Sequence, residues 1–342
     1  MGAMRYESTV TSLSWIPSEA VTGVSRAAFD SGFTRYDDPP PAGIDDIEEL
    51  RAADRFRFGN LLRAWIEVDD SGHITGGGYS GGGLMGATTL KLAGLRHTFQ
   101  AVSLPDIQRP AELCQPEGGD GWMKFVQTTG GRTAIPAPRP VRRRPFIQWQ
   151  APLVWTTLSL TLHADGRAEY EVTGASRFPR HWIYDASGRL GHKSGLTDYA
   201  NWARVSFGRH TPWGDEDSPA LVTAVETALE QSLSVQLMHG AARPRIIHLE
   251  PGDVLVRQGD FGQDIFLILD GVIRIEHDGE RLAEYGPGAM LGERAVLEGG
   301  TRTSTNVAVT KCRVASVPAV QLDLSDLAEL ATGHRREEGV RG

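Results

Sequence analysis

The pattern of apolar and polar positions changes character along the chain. After Pro244 the apolar residues come in short runs that alternate with polar ones, as in Ile273 and Ile275 against Arg274 and Glu276. That period of two is the signature of a half-buried strand. Residues 245–249, 253–257, 264–269, 272–276 and 281–285 read as strands, punctuated by Pro251-Gly252, Gly259, Asp270-Gly271 and Asp278-Gly279. Short strands at this spacing predict a barrel or sandwich. Before it, Leu221, Val222, Val225, Leu229, Leu233 and Leu237 recur at helical spacing. Ser218 suits the N-cap and Pro219 the first turn, and Gly240 and Pro244 follow as stop signals. Earlier still, residues 62–68, 98–104, 146–150 and 153–162 are rich in aromatic and branched side chains and read as strands. Asp70-Ser71-Gly72, Asp165-Gly166 and residues 185–188 read as hairpin turns. One amphipathic helix is expected over 44–55, with Ile47, Leu50 and Ala53 on one face and Asp45 and Asp46 at its start.

These patterns predict an N-terminal α+β domain dominated by antiparallel sheet (1–217) and a connecting helix (218–240). A C-terminal β-barrel or jelly roll with flanking helices (241–342) completes the prediction. The last helix is expected over 318–331, with Val320, Leu324, Leu327 and Leu330 on one stripe.

The chain has 342 residues, more than one compact domain usually holds, and 40 of them are glycine, a surplus that points to turns. Two cysteines, Cys114 and Cys312, make no disulfide framework and favour a reducing compartment. The amino terminus lacks a signal-peptide core and no run of about 18 apolar residues occurs. A cytoplasmic protein with no membrane partner is therefore expected. The net charge is −8, and after Gly240 there are 12 basic against 16 acidic residues. Neither part is a basic domain, which argues against nucleic acid. Arginine strongly outnumbers lysine, a composition common in GC-rich bacterial genomes.

One irregular stretch, residues 288–306, interrupts the C-terminal strands. Gly292-Glu293 opens what reads as a single helical turn over 293–297, Gly299-Gly300 closes it, and Arg302 follows. Unpaired N–H groups at a helix start, with an arginine reaching over them, suit capture of a phosphate. A carboxylate there needs another task, and accepting a hydrogen bond from a sugar hydroxyl is one. The set suits a ribose-phosphate.

These residues resemble the cyclic nucleotide-binding domain of catabolite activator proteins, cAMP-dependent kinase regulatory subunits and nucleotide-gated channels. The resemblance rests on Gly292-Glu293-Arg294-Ala295-Val296-Leu297 with Arg302-Thr303-Ser304, on Pro251-Gly252-Asp253 and Gly259-Asp260, and on the run from Phe266 to Gly271. It covers roughly residues 243–332. It implies that Glu293 accepts from the ribose 2′-OH and Arg302 pairs with the cyclic phosphate. Backbone amides near Ala295 and Thr303 would complete the cradle, and Gly292 would permit close approach. The implied ligand is cAMP or cGMP, with no metal. A hydroxyl at the Thr303 position often accompanies cGMP preference in related domains, whereas the bacterial composition favours cAMP. The chain departs from the family pattern at Arg294, an aliphatic position in the family, at Ser304, usually small and apolar, and at Thr301. Only 25 residues follow Val317, too few for the DNA-reading domain of the family's transcription factors.

The run 76–86 matches G-x-S-x-G, with Ser80 as nucleophile, and G-x-G-x-x-G over 81–86. Both motifs need a strand before and a helix after. The following 87–92 reads as a strand instead, so a flexible glycine-rich loop is expected. Histidines 163, 181, 192 and 210 lack metal-ligand spacing. Three function classes remain open. The first is a receptor whose barrel modulates an N-terminal domain that binds a small ligand or a protein partner. The second is a nucleotide-regulated, hydrolase-like enzyme using Ser80, and the third a scaffold with a vestigial nucleotide site. Self-association stays open in each.

Overall fold

The computed structural model describes residues 4–18, 20–23, 26–27, 30–31, 37–92, 95–116, 121–133, 137–140, 142–144, 147–199, 202, 222–224, 244–297 and 299–322. It is built almost wholly of antiparallel strands. The chain divides into two compact units, one formed by 1–192 and 198–220, the other by 193–197 and 221–342.

The first unit holds strands β1 (Met4–Trp15), β2 (Phe58–Val68), β3 (Ile74–Met85), β4 (Ala87–Leu92), β5 (Leu95–Gln100), β6 (Val102–Ser103), β7 (Ile107–Gln108) and β8 (Glu112–Cys114). Then come β9 (Trp122–Arg132), β10 (Ala137–Pro140), β11 (Ile147–Gln150), β12 (Leu153–His163), β13 (Ala168–Ala175), β14 (Arg180–Tyr184) and β15 (Leu190–Ser194). One sheet runs β15-β14-β1-β2-β3 and a second runs β13-β12-β9-β6, with β7 and β8 also paired to β9. β2 buries alternate residues, whereas the second half of β1 and most of β12 are buried on both faces; Val10, Leu62, Ala64, Phe125, Leu158 and Leu160 are fully buried. Polar side chains enter this core as hydrogen-bonded partners. The Ser12 and Thr156 hydroxyls are 2.8 Å apart, Asn60 Nδ2 donates to the Thr156 carbonyl at 3.0 Å, and Gln127 Nε2 donates to Asn60 Oδ1 at 2.9 Å.

The expected hairpins are present. At Asp69 and Asp185 one carboxylate oxygen accepts from the N–H and hydroxyl of the serine two residues on and from the N–H four residues on. This turn is written locally, which is why the sequence discloses it. The helix expected over 44–55 is shorter, Ile47–Ala52, and none of its residues is buried. Asp46 caps it by accepting from the N–H groups of Glu48 and Glu49. Ile47 and Leu50 are half-buried while the other residues of the helix are exposed.

The glycine-rich run is not a loop. Residues 74–85 form β3, paired along β2 from Phe58↔Met85 to Val68↔Ile74. Glycine is required by close approach. A Cβ on Gly81 would lie 1.8 Å from the Leu61 carbonyl oxygen. Ser80 is exposed in mid-strand opposite Arg63. Neither the nucleophile elbow nor the dinucleotide motif has its strand-turn-helix context here.

The second unit contains β17 (Arg245–Leu249), β18 (Val254–Val256), β19 (Asp264–Asp270), β20 (Ile273–His277), β21 (Glu280–Tyr285), β22 (Met290–Leu291), β23 (Thr305–Ala308) and β24 (Cys312–Pro318). β16 (Val222–Ala224) precedes them. Two four-stranded sheets, β17-β24-β19-β22 and β18-β23-β20-β21, face each other. Their inner faces contribute Leu249, Phe266, Ile268, Ile273, Ile275, Ala308 and Val314 to one core. The other face of β19 and β24 is buried too, with Ile265, Leu267, Leu269, Ala315 and Val317 packing on Met290, Ala319 and Leu322. That explains why β19 reads as a continuous apolar run rather than an alternation.

Of the flanking helices expected here, the described part is the turn Glu293–Leu297 and a short 3-10 segment, Ala319–Gln321. The connecting helix expected over 218–240 lies outside the described residues except for Val222–Ala224, which are extended. Most of the helix expected over 318–331 also lies outside them. Among the described residues no helix is long and apolar enough to cross a membrane. Cys114 and Cys312 are both free thiols.

Candidate functional site

The site grows from the loop between β22 and β23. The helix Glu293–Leu297 starts directly after Gly292 and ends where the Gly300 N–H donates to the Ala295 carbonyl at 2.5 Å. The chain then passes Arg302, whose backbone is clamped on both sides. Its N–H donates to the Asp260 carbonyl at 2.7 Å and its carbonyl accepts from the Gly259 N–H at 2.8 Å. The Gly259-Asp260 turn therefore sets where the arginine starts.

The guanidinium is buried, with only 5 % of the residue exposed. Nη1 donates to the Asp264 carbonyl at 3.0 Å, and the guanidinium carbon stands 5.1 Å from the centre of the Phe266 ring. Two glycines make room for it. A Cβ on Gly292 would meet Nη1 at 2.6 Å, and one on Gly262 would meet Nη2 at 2.7 Å. Gly292 also has φ +93°, a conformation that L side chains rarely adopt. Burial pulls the Arg302 pKa down, opposed by the charges of Asp264 and Glu293. It stays a cation, because an arginine pKa sits far above neutrality. Glu293, the first residue of the helix, is 4 % exposed.

Gly292, Glu293, Arg294, Ala295, Arg302, Thr303 and Ser304, expected as ligand contacts, all line one cavity of about 260 Å³. The sheets add residues that the sequence reading missed. Val256, Ile275, Leu282, Tyr285 and Leu291 make an apolar wall, and His277 and Asn306 a polar one. His277 Nδ1 donates to the Thr303 carbonyl at 2.8 Å, since a carbonyl can only accept. Asn306 is buried and accepts from the Ser304 hydroxyl at 3.1 Å. The signal for His277 was available in the period of β20, since it follows Ile273 and Ile275 on one face. Asn306 lies on β23, two positions past Ser304, and only its pairing with β20 at Ile275 brings it in.

The cavity thus joins a buried cation, a buried carboxylate and hydroxyls to an apolar wall. That combination fits an amphiphilic anion with hydroxyl groups and a flat apolar part.

Residues 246–323 match the family model of the cyclic nucleotide-binding domain. This part of the chain is a cyclic nucleotide-binding domain. The chain is 31 % identical over 108 residues to a human potassium/sodium hyperpolarization-activated cyclic nucleotide-gated channel 3, covering 32 % of this chain and 12 % of the channel. It is 32 % identical over 108 residues to lysophospholipase nte1 of Aspergillus fumigatus, covering 30 % of this chain and 7 % of that protein. The chain therefore spans about an eighth or less of these relatives. Among solved structures, it is similar to the catabolite activator protein of Thermus thermophilus at 27 % identity and TM-score 0.26, covering 31 % of this chain and 60 % of that one. A cyclic nucleotide-binding domain from Methylobacillus flagellatus has 24 % identity and TM-score 0.27, covering 28 % of this chain and 64 % of that one.

Proposed function

We propose that this protein is a cytoplasmic receptor for cAMP or cGMP whose nucleotide domain, 241–342, modulates an N-terminal domain, 1–217, through the connecting segment 218–240. The observation that carries the reading is the buried Arg302 guanidinium. It is fixed by the Asp264 carbonyl and accommodated by two glycines, and it lines the same cavity as Glu293. In this reading Arg302 pairs with the cyclic phosphate and Glu293 accepts from the ribose 2′-OH. The base lies against the wall made by Val256, Ile275, Leu282, Tyr285 and Leu291. Thr303 lines the same cavity, and in this reading its hydroxyl contacts the phosphate or the base edge. A nucleotide regulates the output only if it binds two arrangements of the cassette with different affinity. The N-terminal domain would then bind a small ligand or a protein partner according to the state of the cassette.

Isothermal titration of the full chain with cAMP and with cGMP tests this. Saturable binding to one site per chain is expected. Arg302→Ala should weaken it by about 1.5–3 kcal/mol, the worth of a hydrogen bond to a charged group. An unchanged affinity in that variant would remove the phosphate assignment.

A further inference from the structure

Resting on the nucleotide reading above, we propose that Asn306 selects the base of the bound nucleotide. Its Nδ2 donates to a purine that carries a carbonyl oxygen at position 6, as guanine does, and disfavours the amino group that adenine carries there.

Strand register puts an amide where the base would lie. Asn306 is 3 % exposed and sits on β23, an inner strand of the sheet β18-β23-β20-β21. It pairs with Ile275 on one side and with Val256 on the other. Both neighbours line the cavity and belong to the apolar wall assigned to the base. Along its own strand it shares a face with Ala308, which packs with Ile275 in the core between the sheets. Apolar side chains therefore flank the amide on three sides. The side chain is too short to carry the amide away from that row, and Asn306 itself lines the cavity.

The amide is only half satisfied. Oδ1 accepts from the Ser304 hydroxyl at 3.1 Å, and among the described residues Nδ2 has no acceptor. A donor buried beside apolar side chains costs free energy unless something accepts from it. A ligand acceptor offsets that cost, whereas a ligand donor in the same place would add a second unpaired group, so the position discriminates. Guanine presents two acceptors side by side on one edge, N7 and O6, whereas adenine presents N7 beside the N6 amino donor. The two hydrogens of Nδ2 suit the first pair. A turned amide could accept from N6, but Nδ2 would then donate to Ser304, and the hydroxyl hydrogen would lose the acceptor it has here. Ser304 is thus a positioning residue for Asn306.

The test titrates the full chain with cGMP, cAMP and inosine 3′,5′-cyclic monophosphate, which keeps O6 and N7 and lacks the 2-amino group of guanine. Wild type is expected to bind the guanine and inosine nucleotides within a few-fold of each other and about tenfold more tightly than cAMP, the scale of one hydrogen bond. Asn306→Val should weaken the first two by about tenfold and cAMP by less. Its urea midpoint without ligand should match or exceed that of wild type, because an unsatisfied donor leaves an apolar row. Ser304→Ala, which frees the amide to turn, should narrow the preference while keeping the binding, and it guards against a folding defect in the valine variant. Wild type that favours cAMP, or that binds the inosine nucleotide no better than cAMP, overturns the base assignment and leaves the receptor reading standing. So does an Asn306→Val that weakens all three by the same factor. Wild type that binds none of them, or binding indifferent to Arg302→Ala, overturns the nucleotide reading and the base assignment with it.

Discussion

At the residue scale, two groups show how burial dictates chemistry. Arg302 keeps its charge in a buried position because a carbonyl, a ring face and two missing Cβ atoms were arranged around it. Gly292→Ala should undo that arrangement. The methyl needs the space held by Nη1, and the backbone sits at positive φ, which costs a non-glycine residue about 1–3 kcal/mol. A lower urea midpoint together with weakened nucleotide binding would report both effects. His181 shows the opposite solution. It is fully buried, Nε2 donates to the Ser176 carbonyl at 2.7 Å, and Nδ1 accepts from the Ser14 hydroxyl at 2.7 Å. Burial pushes its pKa down to about 4 from 6.5. Between those values the unfolded chain takes up a proton that the folded chain refuses. Stability from this group is therefore full above about pH 6.5 and falls as the pH drops toward 4. The whole difference is of the order of 3 kcal/mol. Urea midpoints measured from pH 7 down to 4.5 should decline less in His181→Gln than in wild type. Equal slopes would show that other groups carry the acid sensitivity.

At the element scale, β3 and the cassette helix each do what their sequences only partly suggest. The run 76–86 matches two enzyme motifs literally, yet the hydrogen-bonded register with β2 absorbs it. Ser80→Ala should leave stability within about 0.5 kcal/mol of wild type, since the side chain is exposed in mid-strand. Gly81→Ala should be far more costly, because its methyl would strike the backbone of Leu61 rather than a side chain that can move. Thermal denaturation of the two variants side by side separates these expectations. An Ser80→Ala that melts as early as Gly81→Ala would contradict the strand assignment. The cassette helix is too short to hold itself together by propensity. Ala295 and Glu293 are buried and the Gly300 N–H closes its end, so tertiary contacts define it.

At the scale of the whole molecule, the two compact units have separate apolar cores. A ligand bound to the second unit should stabilise that unit first. At a hundredfold excess over the dissociation constant the gain is about 2.7 kcal/mol. Thermal scans with saturating cAMP or cGMP should shift the transition of the nucleotide domain upward. If the transition of the first unit moves by an equal amount, the two units unfold as one cooperative block. If it stays where it was, they are energetically independent.

The sequence by itself determined whatever is written in neighbouring residues. The hairpin turns read at 70–72 and 185–188 and the strand period after Pro244 depend on contacts within a few positions, and the Gly-Glu…Arg cassette shows as a local sequence pattern although its arginine is seated by residues about 40 positions away. The helix turn at Gly292-Glu293 and the arginine after it were legible locally, the rest of the expected set was implied by the family resemblance, and in the structure Gly292, Glu293, Arg294, Ala295, Arg302, Thr303 and Ser304 line one cavity. What only the tertiary structure decided is where separate strands meet. His277, Leu282, Tyr285 and Asn306 join the cavity because β20, β21 and β23 pair in register. The glycine run became a strand because β2 presses its backbone against it, and no local pattern records that approach. Short-range capping and turn bonds are specified residue by residue, whereas packing and register are properties of segments that the chain brings together only on folding.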